Sequence, residues 1–165
     1  MSVRNPRVRI VIPPLPNQRD ITSTWAKLRE ALVLIQEHRS MDADLSYQEL
    51  YKMAYNLVMG SQATMLYTGL DEVIRSHLRN AIPVLTSPST QQGEGGTVES
   101  VTARYAEHYQ SMLRFRDVLL YLDSRRGRSQ RPVFDLGLTC FIDEVILHPK
   151  VRRRVRAAPT LGLAL

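Results

Sequence analysis

Tyr47, Tyr51 and Tyr55 stand at four-residue steps, the spacing that lines side chains up along one side of an α-helix. A tyrosine is a rigid ring with a polar tip, enriched at protein–protein interfaces. Three in a row make either a continuous contact strip or a wedge into the molecule's own core, and the pattern alone allows both. No other constellation assembles a reaction. Cys140 is the single cysteine; it lies between Leu138 and Phe141 with no base beside it, so it reads as an inert buried thiol. A lone cysteine also excludes an intrachain disulfide and a Cys-based zinc site. His38, His77, His108 and His148 are scattered, none at H-E-x-x-H spacing, so no metal is expected. His108 falls on an apolar stripe and reads as a core or boundary residue. No G-x-x-x-x-G-K-S/T loop is present, and Gly93-Glu94-Gly95-Gly96 follows no strand, so no cofactor is expected. The pairs Asp71-Glu72 and Asp143-Glu144 read as solvated charge, because adjacent acids project to different sides of a helix.

The tyrosines need a helix, and its start is marked. Ser46-Tyr47-Gln48-Glu49 is a capping box, and Gly60 offers a stop. At about 100° per residue, Leu50, Ala54 and Leu57 form an apolar stripe beside the tyrosines. Val58 falls within the tyrosine arc, and Gln48, Lys52 and Asn56 supply the polar remainder. Around this helix the 3.6-residue period predicts others. Residues 22–39 carry Trp25, Leu28, Leu32 and Ile35 on one side, with Asp20, Thr22 and Ser23 as usable caps. Residues 62–82 carry Leu66, Leu70, Val73, Ile74 and Leu78, with Pro83 beyond. Residues 98–124 read as one unbroken helix through Val101, Tyr105, His108, Met112, Phe115, Leu119 and Leu122. A fifth helix opens at Pro132, carries Val133, Leu136, Cys140, Phe141 and Val145, and ends before Pro149. Residues 150–158 read as a short basic helix.

Between residues 83 and 97, proline, serine and glycine without an apolar period predict a flexible loop. Residues 1–20 hold Pro6, Pro13, Pro14 and Pro16 around an alternation of Val8, Ile10 and Ile12. That is either an extended arm able to lie in a groove or a frayed terminus. The expected organisation is an arm (1–20), an all-α bundle of five or six helices (21–148) and a basic C-terminal tail (149–165).

The chain has 165 residues, about one domain, and a net charge of +6. Residues 1–124 hold 13 basic and 13 acidic side chains; residues 125–165 hold 9 basic against 3 acidic. A basic end on a neutral body is weak ground for a nucleic-acid protein, and nucleic acid is not the expected partner. Arg125-Arg126-Gly127-Arg128 and Arg152-Arg153-Arg154 read as solvated turn and tail charge, with phosphate contact as the alternative. No stretch approaches the roughly 20 apolar residues of a membrane span, and no secretory signal opens the chain. The expected location is cytoplasm or nucleus.

Several segments together resemble a known family. Leu45-Ser46-Tyr47-Gln48-Glu49-Leu50-Tyr51-Lys52-Met53-Ala54-Tyr55-Asn56-Leu57-Val58, followed by Leu66-Tyr67-Thr68-Gly69-Leu70, is similar to the start of the cullins, more narrowly the class that pairs with BTB-domain substrate adaptors, cullin-3. Trp25, Phe115-Arg116-Asp117-Val118-Leu119-Leu120-Tyr121-Leu122-Asp123 and Val133-Phe134-Asp135-Leu136-Gly137-Leu138 fit as well. The resemblance implies a cullin-repeat bundle and a non-catalytic scaffold of a cullin-RING ubiquitin ligase, serving ubiquitin-dependent protein degradation. It implies an adaptor site at Leu45, Tyr47, Gln48, Tyr51, Tyr55 and Tyr121, with the arm residues Val8, Ile10 and Ile12 beside it. Gln48 stands where that class usually has an acid. Ser124 stands where a basic residue is usual, with Arg125 and Arg126 following. The RING-subunit site and the neddylation lysine belong to parts of cullins that this chain does not carry. The competing reading is a basic helical protein associated with nucleic acid through its Arg-rich C-terminal segment.

Overall fold

Each apolar stripe of the sequence needs a second surface to cover it, and a helical bundle supplies one. The structure, a computed structural model, describes residues 18–38, 46–87 and 96–157. Among them there are seven α-helices and no strand: α1 (Gln18–Gln36), α2 (Tyr47–Met59), α3 (Ala63–Leu85), α4 (Gly96–Val118), α5 (Leu120–Arg125), α6 (Val133–Phe141) and α7 (Pro149–Ala157). A π-helical turn, Ile142–Ile146, continues α6. The arm and Leu45 lie outside the described residues, as do 88–95 of the Gly-rich loop.

The helices share one core. Leu28, Leu32, Leu50, Leu66, Leu70, Ile74, Leu78, Met112, Phe115, Leu119, Leu122, Val133 and Val145 are wholly inside. Phe134 meets Tyr109, Gly137 meets His108 and Phe141 meets Tyr105, so α6 runs antiparallel to α4. Tyr67 meets Arg131, Asp71 meets Cys140 and Arg79 meets Glu144, so α3 and α6 run parallel. Two glycines set how closely helices approach. A Cβ on Gly69 would overlap the Trp25 indole, and one on Gly137 would overlap the Met112 sulfur.

Several boundaries differ from the expected ones. α1 starts at Gln18, so Asp20 lies inside its first turn, where a carboxylate favours the helix dipole. α2 stops at Met59, but Gly60 has φ −75°, and the left-handed residue is Ser61 at φ 63°. Pro83 lies inside α3: the last turn continues because Ile82 and Leu85 are buried, and a proline so near the end removes only one helical bond. The expected single helix over 98–124 is two. Leu119 leaves helical dihedrals (φ −104°, ψ 18°), and its carbonyl accepts from both Leu122 N and Asp123 N. The expected fifth helix opens in register, then widens: Leu147 N donates to Ile142 O, five residues back. The basic segment folds as α7 and packs on the bundle through Val151, 1% exposed.

The acidic pairs are not simply solvated. Arg75 lies 3.0 Å from Asp71, 3.4 Å from Asp143 and 3.1 Å from Glu144, and Arg79 lies 3.0 Å from Glu144. Asp71 pairs with Arg75 one turn along the same helix, but the partners of Asp143 and Glu144 sit on a different helix, where a single-helix wheel cannot place them. This network fastens α3 to the π-helical turn. Glu72 and Asp143 are exposed, whereas Asp71 and Glu144 are partly buried. Cys140 donates to Asp71 Oδ1 at 3.4 Å; burial and the neighbouring Asp71 charge push its thiol up to about 12, so it stays protonated and inert. His108 is a core residue, with Nε2 2.9 Å from Gly137 O. Tyr105, expected on the same inward stripe, is 41% exposed, with its ring edge against Phe141.

Candidate protein-docking surface

The capping box forms as its residues dictate. Glu49 N donates to Ser46 Oγ at 3.3 Å, and Ser46 N donates to Glu49 Oε2 at 3.0 Å. This fixes the first turn of α2 and thereby the phase of everything along it. Leu50, Ala54 and Leu57 are buried against the other helices. Tyr47, Tyr51 and Tyr55 point outward at 44%, 37% and 37% exposure. The tyrosine row is therefore a surface strip. Val58 departs from the wheel: it is buried, within a helix packed on by α1, α3, α4 and α5. Gln48 is exposed beside the strip.

Tyr121 joins the strip from α5, carried there by the break at Leu119. Its ring centroid is 4.6 Å from that of Tyr55, which in turn stacks on Tyr51 at 6.4 Å. The Tyr121 hydroxyl donates to Met59 Sδ at 3.3 Å and accepts from Arg125 Nε at 3.2 Å. The Arg125 guanidinium also sits over the Tyr121 ring, 5.6 Å from its centroid. Asp123, two residues on, accepts from Val133 N at 2.8 Å and caps α6 from outside. The Tyr-x-Asp segment thus divides its work: the half-buried Tyr121 ring joins the tyrosine row at the edge of the core, and Asp123 holds α6 in place. At the opposite end, Tyr47 lines a shallow open groove with Arg114, Asp117 and Val118.

Two members of this surface were not singled out from the sequence. Met59, 52% exposed, continues the row Tyr47, Tyr51, Tyr55 by one more four-residue step, a signal that was present. Arg125 reads from the sequence as turn charge, with phosphate contact as the alternative; its position over Tyr121 depends on the kink and has no local signal. Leu45, Val8, Ile10 and Ile12 lie outside the described residues.

The surface is chemically suited to holding another protein. It offers rings and a thioether on a rigid helix, with cations Lys52, Arg114 and Arg125 around them. The acids nearby are engaged internally: Glu49 in its cap, Asp123 at α6, Asp117 with Arg116 at 2.9 Å. No group of His, Cys, Asp and Glu able to hold a metal occurs among the described residues, and no described helix is long and apolar enough to cross a membrane.

Among the described residues, seven helices share one core and one of them exposes a strip of rings, an all-α helical unit. The family model of the cullin alpha solenoid domain matches residues 25–159, and the chain belongs to the cullin family. It is 31% identical to Cullin-3 of Caenorhabditis elegans over 146 residues, which is 86% of this chain and 18% of that protein. Cullin-3B of Arabidopsis thaliana is 29% identical over 150 residues, 89% of this chain and 19% of that protein. Cullin-3 of Dictyostelium discoideum is 32% identical over 134 residues, 80% of this chain and 17% of that protein. The chain therefore spans less than a fifth of the length of these relatives.

Proposed function

We propose that this chain is the adaptor-docking part of a cullin scaffold, which holds BTB-domain substrate adaptors for a cullin-RING ubiquitin ligase. The observation that carries the reading is the exposed row Tyr47, Tyr51 and Tyr55 over the buried stripe Leu50, Ala54 and Leu57, in a chain of the cullin family. Tyr121 and Met59 widen the row, and Arg125, Lys52 and Arg114 give it a basic rim suited to carboxylates on the partner. The arm residues Val8, Ile10 and Ile12, with Leu45, extend the contact, and Gln48 makes a neutral polar one. The role is positional, not catalytic: the chain holds the adaptor and transfers no ubiquitin itself. Its place of action is the cytoplasm or nucleus.

The test is calorimetric titration of the chain with isolated BTB domains, with and without residues 1–20. A saturable complex that weakens on deletion of the arm, with helical content and melting unchanged, supports both parts of the reading. A complex of equal affinity removes the arm from the site. Absence of a complex with every BTB domain tried rejects the function.

A further inference from the structure

Helix α7 carries four arginines, none of them in an ion pair among the described residues. Its inner side is fixed: Val151 is 1% exposed, and Arg154 Nη1 donates to Ser87 O at 2.8 Å, at the end of α3. At about 100° per residue, Arg152, Arg153 and Arg156 fall within one arc of roughly 100°, opposite Val151. They line an open groove with Pro149. None of the three forms an ion pair among the described residues. Arg152 and Arg156 are four residues apart, a like-charge pair that weakens a helix when nothing answers it. Local frustration of this kind is common where a surface awaits a ligand.

Three classes of polyanion fit guanidinium groups, and the surroundings choose among them. A membrane surface requires an apolar side on the helix, but Val151 points inward and outside are only Val155, 40% exposed, and the small Pro149 and Ala157. An acidic protein segment anchors through aromatic or aliphatic side chains seated in pockets, and the groove offers only arginines and a proline. A nucleic-acid backbone needs only regularly spaced cations on a rigid element, and arginine forks match phosphate oxygens. With no aromatic residue on α7, bases have nothing to stack on.

We propose that Arg152, Arg153 and Arg156 on the outer face of α7 form a sequence-independent docking surface for nucleic-acid phosphates, separate from the tyrosine strip. The experiment is fluorescence anisotropy of a labelled duplex of about 20 base pairs, titrated with the full chain between about 50 and 200 mM salt. Three phosphate contacts give a log–log salt slope of about −2.7. The variant R152Q/R153Q/R156Q keeps Val151, Arg154 and comparable helix propensity. It should lose at least about tenfold in affinity at low salt and flatten the slope, with its melting temperature unchanged. No duplex binding at the lowest salt overturns the proposal, as does a triple variant that binds like the parent. Tighter binding to polyglutamate or to anionic vesicles than to the duplex also overturns it, assigning the surface to an acidic protein or a membrane.

Discussion

The Tyr121 ring rests 4.6 Å from the Tyr55 ring at 49°, although 66 residues separate them in the chain. This contact joins α5 to α2 and makes two helices present one aromatic surface. Aromatic pairs of this geometry contribute about 0.5–1.5 kcal/mol beyond the area they bury. In a double-mutant cycle of Tyr55→Ala and Tyr121→Ala, the expected coupling energy in urea unfolding is therefore about 1 kcal/mol. Strictly additive losses would mean that the rings touch without stabilising each other.

Gly69 lies under the Trp25 indole with no room for a methyl group. Gly69→Ala improves helix propensity by about 1 kcal/mol, an effect that favours the mutant. The displaced indole acts the other way, and overpacking costs about 1–3 kcal/mol. The net expectation is a destabilised chain with a changed Trp25 fluorescence spectrum. A more stable chain with the parent spectrum would show that α1 and α3 separate freely at that point.

Arg75 holds three carboxylates, those of Asp71, Asp143 and Glu144. Its side chain is only 23% exposed, whereas that of Arg79 is 53% exposed. Arg75→Met leaves the acids facing one another at the α3–π-turn junction; a loss of about 1–3 kcal/mol is expected, between the values of surface and buried pairs. Arg79→Gln should cost less than about 1 kcal/mol, and that loss should shrink at high salt. Equal losses for the two variants, read by chemical denaturation, would contradict this ordering.

What was legible in the sequence was local. The Ser46–Glu49 capping box, the Leu50 stripe and the tyrosine row each depend on residues within a turn or two, and all three appear in the fold where the spacing puts them. What was not legible depends on helices that meet across the bundle. No Gly or Pro lies between residues 97 and 126 to mark the break at Leu119, yet that break aims Tyr121 at Tyr55. A wheel puts Val58 among the tyrosines, yet neighbouring helices bury it. Asp143 and Glu144 look solvated until the π-helical turn brings them to Arg75 and Arg79. Asp123 carries no local sign that it will cap α6, ten residues later.

Tyr51 and Leu50 are neighbours in sequence with opposite duties. Tyr51 is 37% exposed and Leu50 is fully buried. On the proposed function, Tyr51→Ala removes a central ring from the docking strip, and binding to a BTB domain should weaken by about 2 kcal/mol, or about 30-fold. Its own folding stability should fall by less than about 1 kcal/mol. Leu50→Ala should lower stability by about 2–5 kcal/mol and weaken binding mainly through the unfolded fraction. Thermal unfolding and calorimetric titration on each variant separate the two. Tyr51→Ala melting as early as Leu50→Ala, with normal binding by what remains folded, would place the ring in the core energetics and not in the contact.

His108 gives the fold a dependence on acid. Burial is the main reason its imidazole is held down at about 4; the bond to Gly137 O opposes this, and the charges of His77 and Arg104 reinforce it. Because a carbonyl only accepts, Nε2 carries the proton in the neutral ring and Nδ1 is left without a partner. The unfolded chain has an ordinary histidine near 6.5, so the folded state binds its proton later on acidification. Its contribution is complete above about pH 6.5 and drains away as pH falls toward 4, at up to about 1.4 kcal/mol per pH unit and about 3 kcal/mol in all. His77, also lowered by burial, adds to the same acid limb. Glu144 is held below its usual value by its bonds from Arg79, so its contribution is lost lower still. The upper part of the window, about pH 6.5 to 5, therefore belongs to the histidines. His108→Leu should flatten unfolding free energy against pH across that window, whatever it does to stability at pH 7. A variant whose slope between pH 6.5 and 5 matches that of the parent chain would show that His108 is not held neutral by the fold.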